Sequence, residues 1–507
     1  MSLIGLQSIR SRPRLTCDTD SIAHAIVFKL ILIRMRSGHW TALVGFFPAV
    51  LGCAGEGPAR SIDPSSPRAQ AFLDTLEQRT FAFFWERTDP QTGLTPDRWP
   101  TPSFSSIAAV GFALTAYPIG VDRGYITRAD AAARTLTTLR WFWQAPQGSG
   151  TTGVTGYKGF FYHFLVMPGG ARFQQVELST IDTALLLGGV LFCREYFNGS
   201  DSTETAIRAT ADSLYTRVDW QWAVHNPPLV SMGWTPENGY IASDWHGFNE
   251  AMLIYILALG SPTHAIDSTA WAAWTSTYPW GTYYGQQQVG FAPLFGHQYS
   301  HLWIDFRGIQ DDFMRAHGID YFENSRRATL SQRSYAIANP GQWTGYSGDV
   351  WGLTASDGPA DASLTVNGRP HQFHTYYARG ASFTEVQDDG TLAPTAAGGS
   401  IAFAPEIAIP ALVTMRERYG DPVFGQYGFL DAFDPTFQFT GKATQGQVVR
   451  GLGWFDTDYL GIDEGPILGM LANYRGDLVW KYMRKSPYII KGLRRAGFRG
   501  GWLDQAP

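Results

Sequence analysis

Charged residues and cysteines are scarce in this chain of 507 residues. Asp, Glu, Lys and Arg together make up only 16% of it, the net charge is −5, and no basic run is present. Nucleic-acid binding is therefore not predicted, because it requires a strongly basic surface. The three cysteines, Cys17, Cys53 and Cys193, form no CxxC pattern, so no structural zinc site is predicted either.

Motifs for nucleotide binding and for serine-hydrolase chemistry are also missing. No glycine-rich segment has the spacing of a P-loop or a dinucleotide-binding turn, and no GxSxG motif stands out. We therefore expect neither nucleotide-dependent nor serine-nucleophile chemistry. The sequence predicts no cofactor and no metal.

Aromatic residues, by contrast, are abundant, with 18 Trp, 23 Tyr and 32 Phe. Two interpretations are open on composition alone. The rings can fill a large core. They can also bind sugars, because an aromatic face packs against the C–H face of a pyranose ring while polar groups take its hydroxyls.

The N-terminal part of the chain resembles a bacterial lipoprotein signal. We predict that residues 1–34 are an upstream or disordered segment and that residues 35–53 are a signal peptide ending at Cys53. Val50-Leu51-Gly52-Cys53 is similar to a lipobox, in which the cysteine is lipidated. Residues 54–66, rich in Gly, Pro and Ser, are predicted to be a flexible tether.

A buried helix or a membrane anchor is the alternative for this segment, but the apolar run is short and contains Pro48. The lipoprotein interpretation predicts an exported protein, periplasmic or anchored to the outer membrane, that contacts the membrane only through its lipid. Cys17 and Cys53 would then be unavailable for pairing. With Cys193 as the remaining cysteine, we expect no disulfide in the exported domain.

No linker interrupts the rest of the chain, so residues 67–507 are predicted to form one domain. Amphipathic helices alternate with helices that are apolar on nearly all sides. The amphipathic ones are predicted at 128–143 and 203–219, and the buried ones at 107–116, 181–192 and 250–259. Further helices are predicted at 310–337, 405–418, 465–474 and 487–496. This alternation indicates an all-α toroid of helical hairpins. Long aromatic-rich loops with a few short strands would form its working face, although a helical solenoid that only binds ligands would share the hairpins.

Acidic residues at the predicted starts of the buried helices are the strongest functional signal. Glu250 opens an apolar helix, Asp463 and Glu464 precede another, and Glu177 and Asp182 flank a third start. Glycoside hydrolysis needs two carboxyl groups, one protonated and one ionised. Helix capping and interaction with the helix dipole are the alternative explanations for these acids.

His297, His301 and Asp305 have the i, i+4, i+8 spacing of one helix face, which a metal triad could use. Pro293 and Gly296 interrupt this segment, and no HExxH motif is present. We therefore favour sugar-hydroxyl binding for these three residues.

Several segments together resemble the bacterial glycoamylase-like family, which includes the β-1,2-glucanases of glycoside hydrolase family 144. The similarity extends over residues 70–503 and is carried by Ser106-Ile107-Ala108-Ala109-Val110-Gly111-Phe112, Gly156-Tyr157-Lys158-Gly159-Phe160-Phe161-Tyr162-His163-Phe164, Glu177-Leu178-Ser179-Thr180-Ile181-Asp182-Thr183, Ala292-Pro293-Leu294-Phe295-Gly296-His297-Gln298-Tyr299-Ser300-His301, Trp351-Gly352-Leu353-Thr354-Ala355-Ser356-Asp357-Gly358 and Leu460-Gly461-Ile462-Asp463-Glu464-Gly465-Pro466-Ile467.

The resemblance implies an (α/α)6 barrel that hydrolyses β-1,2-glucan with inversion at the anomeric carbon. Position by position, it implies that Glu250 is the general acid and Asp463 the base, while Glu177 and Asp182 line the pocket. Glu464 departs from the family pattern, in which Gln is expected.

The further candidates for substrate contact are Lys158, Tyr162, His163, Trp245, His297, His301, Trp303, Asp305, Arg307, Trp343, Tyr346, Trp351, Asp357 and Glu464. We expect the glucan to stack on four of them, Trp245, Trp303, Trp343 and Tyr346. The expected partner is a glucan oligo- or polysaccharide, and the expected state is a monomer. The alternatives are exo-release of sophorose, hydrolysis of an α-glucan, and a non-catalytic surface lipoprotein that binds glycans.

Overall fold

The computed structural model describes residues 62–506, so the predicted signal peptide with Cys53, the upstream segment and most of the tether lie outside the described residues. The described residues belong to one compact unit, Ser61–Pro507. Their helices are α1 Pro67–Arg87, α2 Ile107–Asp122, α3 Arg128–Gln144, α4 Thr180–Tyr196, α5 Ser202–Thr216, α6 Trp220–Ala223, α7 Met252–Gly260, α8 Thr269–Thr275, α9 Phe295–Trp303, α10 Asp312–His317, α11 Tyr321–Ala338, α12 Pro394–Gly398, α13 Pro405–Tyr419, α14 Gly461–Gly476, α15 Leu478–Met483 and α16 Pro487–Arg495, followed by a 3-10 helix Gly501–Gln505.

Short strands occupy the connections between these helices. They are β1 Arg98–Trp99, β2 Ser105–Ser106, β3 Gly156–Tyr157, β4 Phe160–Tyr162, β5 Phe164–Leu165, β6 Leu178–Ser179, β7 Gly233–Thr235, β8 Gly239–Tyr240, β9 Trp280–Tyr283, β10 Gln286–Val289, β11 Ala355–Asp357, β12 Ala362–Val366, β13 Arg369–Phe373, β14 Tyr376–Ala378, β15 Gly380–Ala381, β16 Val386–Gln387, β17 Phe424–Gly425, β18 Gly428–Phe429, β19 Phe433–Asp434, β20 Gln447–Val449, β21 Gly453–Phe455 and β22 Tyr459–Leu460. The largest sheet has five strands in the order β3-β4-β6-β7-β8, and all of its pairs are antiparallel.

Helices that are buried on nearly all sides form the centre of the core. Helices α2, α4, α7 and α14 expose almost no side chain. Helix α2 packs against α4 and α14, α4 packs against α7 and α9, and α9 packs against α14. These contacts form a closed ring of apolar helices, because a helix without a polar face must be covered by neighbours on every side.

Amphipathic helices cover this ring from outside. Helices α1 and α3 pack on α2, α5 packs on α3 and α4, α16 on α7, α11 on α9, and α13 on α12. The expectation of a mostly helical domain is therefore confirmed, but the short strands are many rather than few, because the long loops pair extensively with one another. No helix within residues 62–506 is both long enough and apolar enough to cross a membrane.

Helix α2 extends beyond its predicted end because Pro118 does not terminate it. A proline removes the amide that would donate to the carbonyl four residues earlier. That carbonyl, on Leu114, instead accepts a hydrogen bond from the Cys193 thiol at 3.1 Å. Cys193 is buried and free, as predicted, and it satisfies the backbone position that Pro118 leaves open.

Two other helix boundaries also differ from the sequence-based expectation. The predicted helix 310–337 is two helices, α10 and α11, because Gly318 adopts a left-handed conformation (φ 69°) that ends α10. Helix α14 begins at Gly461 rather than at 465, and Pro466 lies inside its first turns. This earlier start brings Asp463 into the first helical turn.

Short strands lead directly into three of the buried helices. Strand β2 ends at the residue before α2, β6 at the residue before α4, and β22 at the residue before α14. Strand β2 pairs with β5, β6 lies inside the five-stranded sheet, and β22 pairs with β1. The strands therefore fix where these helices begin and place their N-terminal turns at the loop end of the core.

Candidate active site

Acidic side chains lie at the beginnings of three buried helices. Asp182 is in the first turn of α4, Asp463 is in the first turn of α14, and Glu250 lies two residues before α7. Burial raises the pKa of the Tyr299 phenol, on α9, and the negative charges of all three carboxyl groups raise it further. These acids therefore face a common space at the loop end of the helix ring.

On one side of this space, His163 is held between two acids. Its Nδ1 lies 2.8 Å from Glu177 Oε1, and its Nε2 lies 3.4 Å from Asp182 Oδ2. Burial opposes a charge on this ring, but the carboxylates of Asp182 and Glu177 outweigh burial and raise the pKa of His163 to about 9. Burial raises the pKa of Glu177, but the hydrogen bond from His163 outweighs it and leaves that pKa below its usual value. His163 is therefore an imidazolium next to an ionised Glu177.

Glu250 has a different environment. Burial raises its pKa to about 7, and the nearby charge of Asp182 adds to the shift. Trp245 and Phe248, both buried, belong to the loop that leads to this residue. A carboxyl group with this pKa keeps its proton near neutral pH, which is the state required of a general acid.

On the other side of the space, Asp463 belongs to a second acidic group, separate from the first group of Glu177, Asp182 and Glu250. Burial raises its pKa to about 7, while a hydrogen bond with the Asp431 carboxyl group opposes the shift. Its Oδ2 is buried and has no hydrogen-bond partner within residues 62–506. The Asp463 carboxyl group therefore has a free oxygen with which it can hold a water molecule.

The second acidic group surrounds Arg98. The Arg98 guanidinium contacts Asp357 at 2.6 Å, Asp97 at 3.4 Å and Asp458 at 3.8 Å. Asp431 accepts a hydrogen bond from the backbone N–H of Asp357 at 2.7 Å. The predicted site residue Asp357 thus lies in this group.

Sequence reasoning missed most of the second group. Asp97, Arg98, Asp431, Asp456 and Asp458 come from three separate segments that precede α2, follow β18 and precede α14. A usable signal was present in Phe455-Asp456-Thr457-Asp458, a pair of acids shortly before Asp463. The contribution of the other two segments could not be read from spacing, because it depends on pairing between distant strands. Strand β1, which holds Arg98, pairs with β22, and β19, which follows Asp431, pairs with β21.

Glu464 does not face the site. Its side chain is buried, its carboxyl group bonds Thr80 of α1, and its Oε2 lies near Gly428 of β18. Burial raises the pKa of Glu464 well above its usual value. Successive residues of a helix point about 100° apart, so the side chains of Asp463 and Glu464 contact different neighbours. We therefore correct the substrate-binding prediction for Glu464.

Lys158 and Tyr162 also stand apart from the acids. Lys158 occupies the turn between β3 and β4 and pairs with Asp219 at 3.1 Å. The ring of Tyr162 is fully buried against the Arg172 guanidinium, with 4.7 Å between guanidinium carbon and ring centroid. The structure supports a surface ion pair for Lys158 and core packing for Tyr162, rather than the predicted contact with substrate.

The predicted sugar-binding residues on and after α9 belong to the core and to the far end of that helix. His297 and His301 both contact Ser325 of α11, at 3.5 and 3.2 Å. Trp303 is fully buried and donates to Thr115 at 3.0 Å. Their burial leaves no surface for a sugar, so the prediction is corrected for His297, His301 and Trp303.

Asp305 and Arg307 form an ion pair at the C-terminal end of α9, away from the acids at the helix starts. Arg307 Nε lies 2.8 Å from Asp305 Oδ1, and Arg484 also pairs with Asp305. Because both oxygens of Asp305 are bound by arginines, it completes neither a metal triad with the two histidines nor a sugar site. The prediction is corrected for Asp305 and Arg307.

The predicted stacking platforms are covered. Trp245, Trp343 and Tyr346 are each at most 8% exposed, and Trp351 is fully buried. Trp245 donates a hydrogen bond to Thr180, at the start of α4, at 2.9 Å, so it supports the site without presenting its ring to a sugar. Tyr346 donates to Asp388, which does not belong to either acidic group.

Half-buried rings close to the acids offer better stacking surfaces. Phe164 stacks on His163 with 3.8 Å between ring centroids and contacts Phe104 and Phe173. Phe295 packs on Tyr299, with 5.4 Å between centroids. The sequence analysis favoured tryptophans, but phenylalanines next to the ionisable groups are more accessible here.

Comparisons with known proteins fit this arrangement. A family model described as "Putative glucoamylase" matches residues 242–487. An exo-β-1,2-glucooligosaccharide sophorohydrolase (non-reducing end) of Parabacteroides distasonis is 28% identical over 460 residues, which is 84% of this chain. The chain spans 58% of the length of that curated relative.

Solved structures are similar over nearly the whole described domain. A "putative glucoamylase" from Bacteroides uniformis has a TM-score of 0.73 and 29% identity, and the match covers 86% of this chain and 99% of that one. An endo-β-1,2-glucanase from Chitinophaga pinensis has a TM-score of 0.71 and 27% identity, with coverage of 86% and 99%. The resemblance to glycoamylase-like proteins and β-1,2-glucanases is confirmed.

Proposed function

We propose, on the premise of this chain's similarity to the glycoamylase-like β-1,2-glucanases, that it is a glycoside hydrolase that cleaves β-1,2-linked glucan by an inverting acid/base mechanism. One observation carries the proposal. A carboxyl group that keeps its proton near neutral pH, on Glu250, shares the neighbourhood of the Tyr299 phenol with a second buried carboxyl group, on Asp463.

The fold we propose for this site is an (α/α)6 barrel. Its inner ring would consist of α2, α4, α7, α9, α12 and α14, and its outer ring of α1, α3, α5, α16, α11 and α13. The support is that each outer helix packs on an inner one and that the inner helices contact one another in a ring. The N-terminal ends of the inner helices would then form the floor of the substrate cleft.

In this mechanism Glu250 is the general acid. Its protonated carboxyl group donates to the glycosidic oxygen, so that the leaving sugar departs as an alcohol. The neighbouring Asp182 carboxylate favours the protonated form of Glu250 before the reaction. After proton transfer, the cationic His163 reduces the repulsion between these two acids, since it lies against Asp182.

Asp463 is the general base. Its free Oδ2 would hold the attacking water, directly or through a relay, on the opposite face of the sugar. An inverting pair leaves room for this water with roughly 6.5–9.5 Å between the carboxyl groups. Products should therefore first appear with the anomeric configuration opposite to that of the substrate, which proton NMR during the first minutes of hydrolysis detects.

Endo and exo action remain as two forms of the same proposal. The Chitinophaga pinensis relative is named an endo-enzyme, and the Parabacteroides distasonis relative is named an exo-acting sophorohydrolase. We favour endo action because the endo-glucanase structure is matched over 99% of its length, whereas the sophorohydrolase has substantial additional chain.

Incubation of the purified protein with linear β-1,2-glucan tests the substrate. Chromatography should show β-1,2-linked oligosaccharides of several lengths, while sophorose alone would indicate exo action. Soluble starch and β-1,3-glucan serve as control polymers and should remain intact. Hydrolysis of starch alone would overturn the proposed linkage, and glycan binding without products would favour a non-catalytic role.

The substitution Glu250→Gln tests the proposed acid. Gln keeps the shape of the side chain but has no acidic proton, so kcat should fall by about 10²–10⁴-fold while oligosaccharide affinity changes little. Glu417→Gln is the matched control, because Glu417 lies on α13, is partly exposed and pairs with Arg68 of α1. Near-normal turnover of the Glu250 variant would remove this residue as the acid.

A further inference from the structure

Three buried aspartates next to Asp463 form a compact oxygen cluster that the hydrolytic mechanism does not use. Asp357, Asp431 and Asp456 each place one carboxylate oxygen within 4.8 Å of the others'. All three side chains are more than nine-tenths buried. They come from β11, from the segment after β18 and from the segment after β21, so the tertiary fold brings them together.

The three carboxylates are held in position by groups outside the cluster's centre. Arg98 contacts Asp357 Oδ2 at 2.6 Å, and the Asp357 backbone N–H donates to Asp431 Oδ2 at 2.7 Å. Asp456 Oδ1 accepts from the backbone N–H groups of Thr457 and Asp458. The remaining oxygens, Asp431 Oδ1 and Asp456 Oδ2, are buried and have no hydrogen-bond partner within residues 62–506.

A fourth carboxyl group points into the same place from another element. Asp463, on α14, is 7% exposed, its Oδ2 has no hydrogen-bond partner among the described residues, and its carboxyl group lies within hydrogen-bonding range of Asp431. Asp463 Oδ2 is the oxygen assigned to the attacking water, so it is not counted with the cluster. The two unsatisfied oxygens of the cluster itself, Asp431 Oδ1 and Asp456 Oδ2, are costly to bury and indicate a missing positive partner.

The charges nearby do not supply that partner. Arg98 contacts the cluster and already pairs with Asp97, Asp357 and Asp458. The Arg98 guanidinium forms no ion pair with Asp431 or Asp456 within residues 62–506. The nearby Arg379 pairs with Asp389 and donates to the backbone carbonyls of Ser356 and Asp357 rather than to the carboxylates of the cluster. A bound cation would neutralise the charge that remains.

The spacing favours calcium. Ca²⁺ binds oxygen ligands at about 2.3–2.6 Å, so two oxygens on opposite sides of it are about 4.6–5.2 Å apart and adjacent ones are closer. Oxygens within 4.8 Å of one another fit this range. Mg²⁺ demands a near-ideal octahedron and usually keeps several of its waters, which a site enclosed by buried carboxylates accommodates less readily.

We propose that Asp357, Asp431 and Asp456 bind a calcium ion beside Asp463. The site goes beyond the proposed hydrolysis, because ion binding does not depend on which glycan is cleaved. Its structural role would be to tie β11, the segment after β18 and the segment after β21 together next to α14.

Titration of the chelator-treated protein with Ca²⁺ tests the site directly. Calorimetry should show saturable binding, and Ca²⁺ should raise the thermal midpoint, with Mg²⁺ at least about tenfold weaker. Tb³⁺, which replaces Ca²⁺, should emit on excitation of aromatic rings, since Tyr376 is close to Asp431 and Asp357. The absence of saturable Ca²⁺ heat and of Tb³⁺ emission would overturn the proposal.

Variants identify the ligands. Asp456→Asn should weaken Ca²⁺ binding by about tenfold or more, because a carboxylate ligand is lost. Asp421→Asn is the matched control, since Asp421 is exposed and pairs with Arg416 far from the cluster, and its binding should equal that of the wild type. Unchanged binding by the Asp456 variant would reject the site. If that variant does not fold, the wild-type titration still decides.

These measurements use no substrate, so their outcome is independent of the proposed function. A protein that binds Ca²⁺ but leaves β-1,2-glucan intact would keep the ion site and lose the proposed activity. A protein that cleaves the glucan but binds no Ca²⁺ would keep the proposed activity and lose the ion site.

Discussion

At the scale of single residues, the site separates carboxyl groups by their surroundings. Glu177 accepts a hydrogen bond from cationic His163 and has a lowered pKa, whereas burial raises the pKa of Glu250 to about 7. The same chemical group is therefore ionised at one position and protonated at the other.

The alkaline limb of the pH dependence of hydrolysis follows from Glu250, and the acid limb follows from the proposed base Asp463, whose pKa is also raised to about 7. A general acid must be protonated, and its protonated fraction falls as the pH rises through its pKa. With that pKa at about 7, kcat/KM should decrease above about pH 7 with a slope of one proton. Initial rates on β-1,2-glucan between pH 4 and pH 9 measure this limb.

Asp182→Asn should move this alkaline limb to lower pH. The charge of Asp182 is one cause of the raised Glu250 pKa, so its removal makes the proton of Glu250 easier to lose. The measurement is the same pH profile on the variant, with circular dichroism as the control for folding. A limb that stays in place would show that another group sets it.

Glu464 provides a prediction about stability. Burial holds the pKa of Glu464 well above 4.5 in the folded state. The contribution of its protonated form to the free energy of unfolding is therefore fully present below pH 4.5 and is lost as the pH rises through the folded pKa. Gln has no proton to lose. Glu464→Gln should therefore raise Tm at neutral pH by roughly 2–4 °C, with a smaller gain at pH 4. Thermal melts of both proteins across this range would contradict the assignment if the gain did not grow with pH.

At the scale of elements, the site depends on helices that begin at defined places and pack closely. Strands β2, β6 and β22 end where α2, α4 and α14 begin, so pairing in the loops fixes the helix starts. Helices α2 and α4 approach each other through glycines. A Cβ built at Gly111 would lie 2.3 Å from the Leu185 carbonyl oxygen, and one at Gly189 would lie 2.1 Å from that of Gly111.

Gly189→Ala should therefore destabilise the protein. The added methyl group would push α4 away from α2, and overpacking of this kind costs about 1–3 kcal/mol. Because Asp182 lies on α4, activity should fall as well. Gly476→Ala is the matched control, since no atom lies within 4 Å of the added methyl group at this end of α14. Denaturant unfolding compares the two variants, and equal stability would show that α2 and α4 can separate at no cost.

At the scale of the whole molecule, the described domain has a large apolar core and one free, buried cysteine, Cys193. Stability within residues 62–506 therefore comes from packing, and reducing agents should leave Tm unchanged. The export signal lies outside these residues and stays a prediction.

Lipidation of Cys53 is the prediction that tests export. In a bacterial host, the mature protein should begin at Cys53 and carry an acyl-lipid mass on its first peptide, as a lipobox cysteine does. Mass spectrometry of the membrane fraction measures this. Cys53→Ser is the control and should abolish the lipid mass. A mature, unmodified protein that begins elsewhere would contradict the lipoprotein interpretation.

The mostly helical character, the alternation of buried and amphipathic helices, and the acids at the starts of the buried helices could all be predicted from the sequence. These features are local, because hydrophobic period and helix starts are written in neighbouring residues. The same reasoning placed Glu177, Asp182, Glu250 and Asp463 at helix starts. The family resemblance, carried by motifs in order along the chain, was also available at this level.

Which side chains share a site depends on contacts between distant segments and could not be predicted from the sequence. The tertiary structure joined Arg98 and Asp431 to Asp463 through the β1–β22 and β19–β21 pairings between distant segments, and it buried Trp303 in the core. It also turned Glu464 away from its neighbour Asp463. A sequence gives the period of each helix, but the direction in which a residue faces depends on the neighbours that pack around it, and those are fixed by the whole fold.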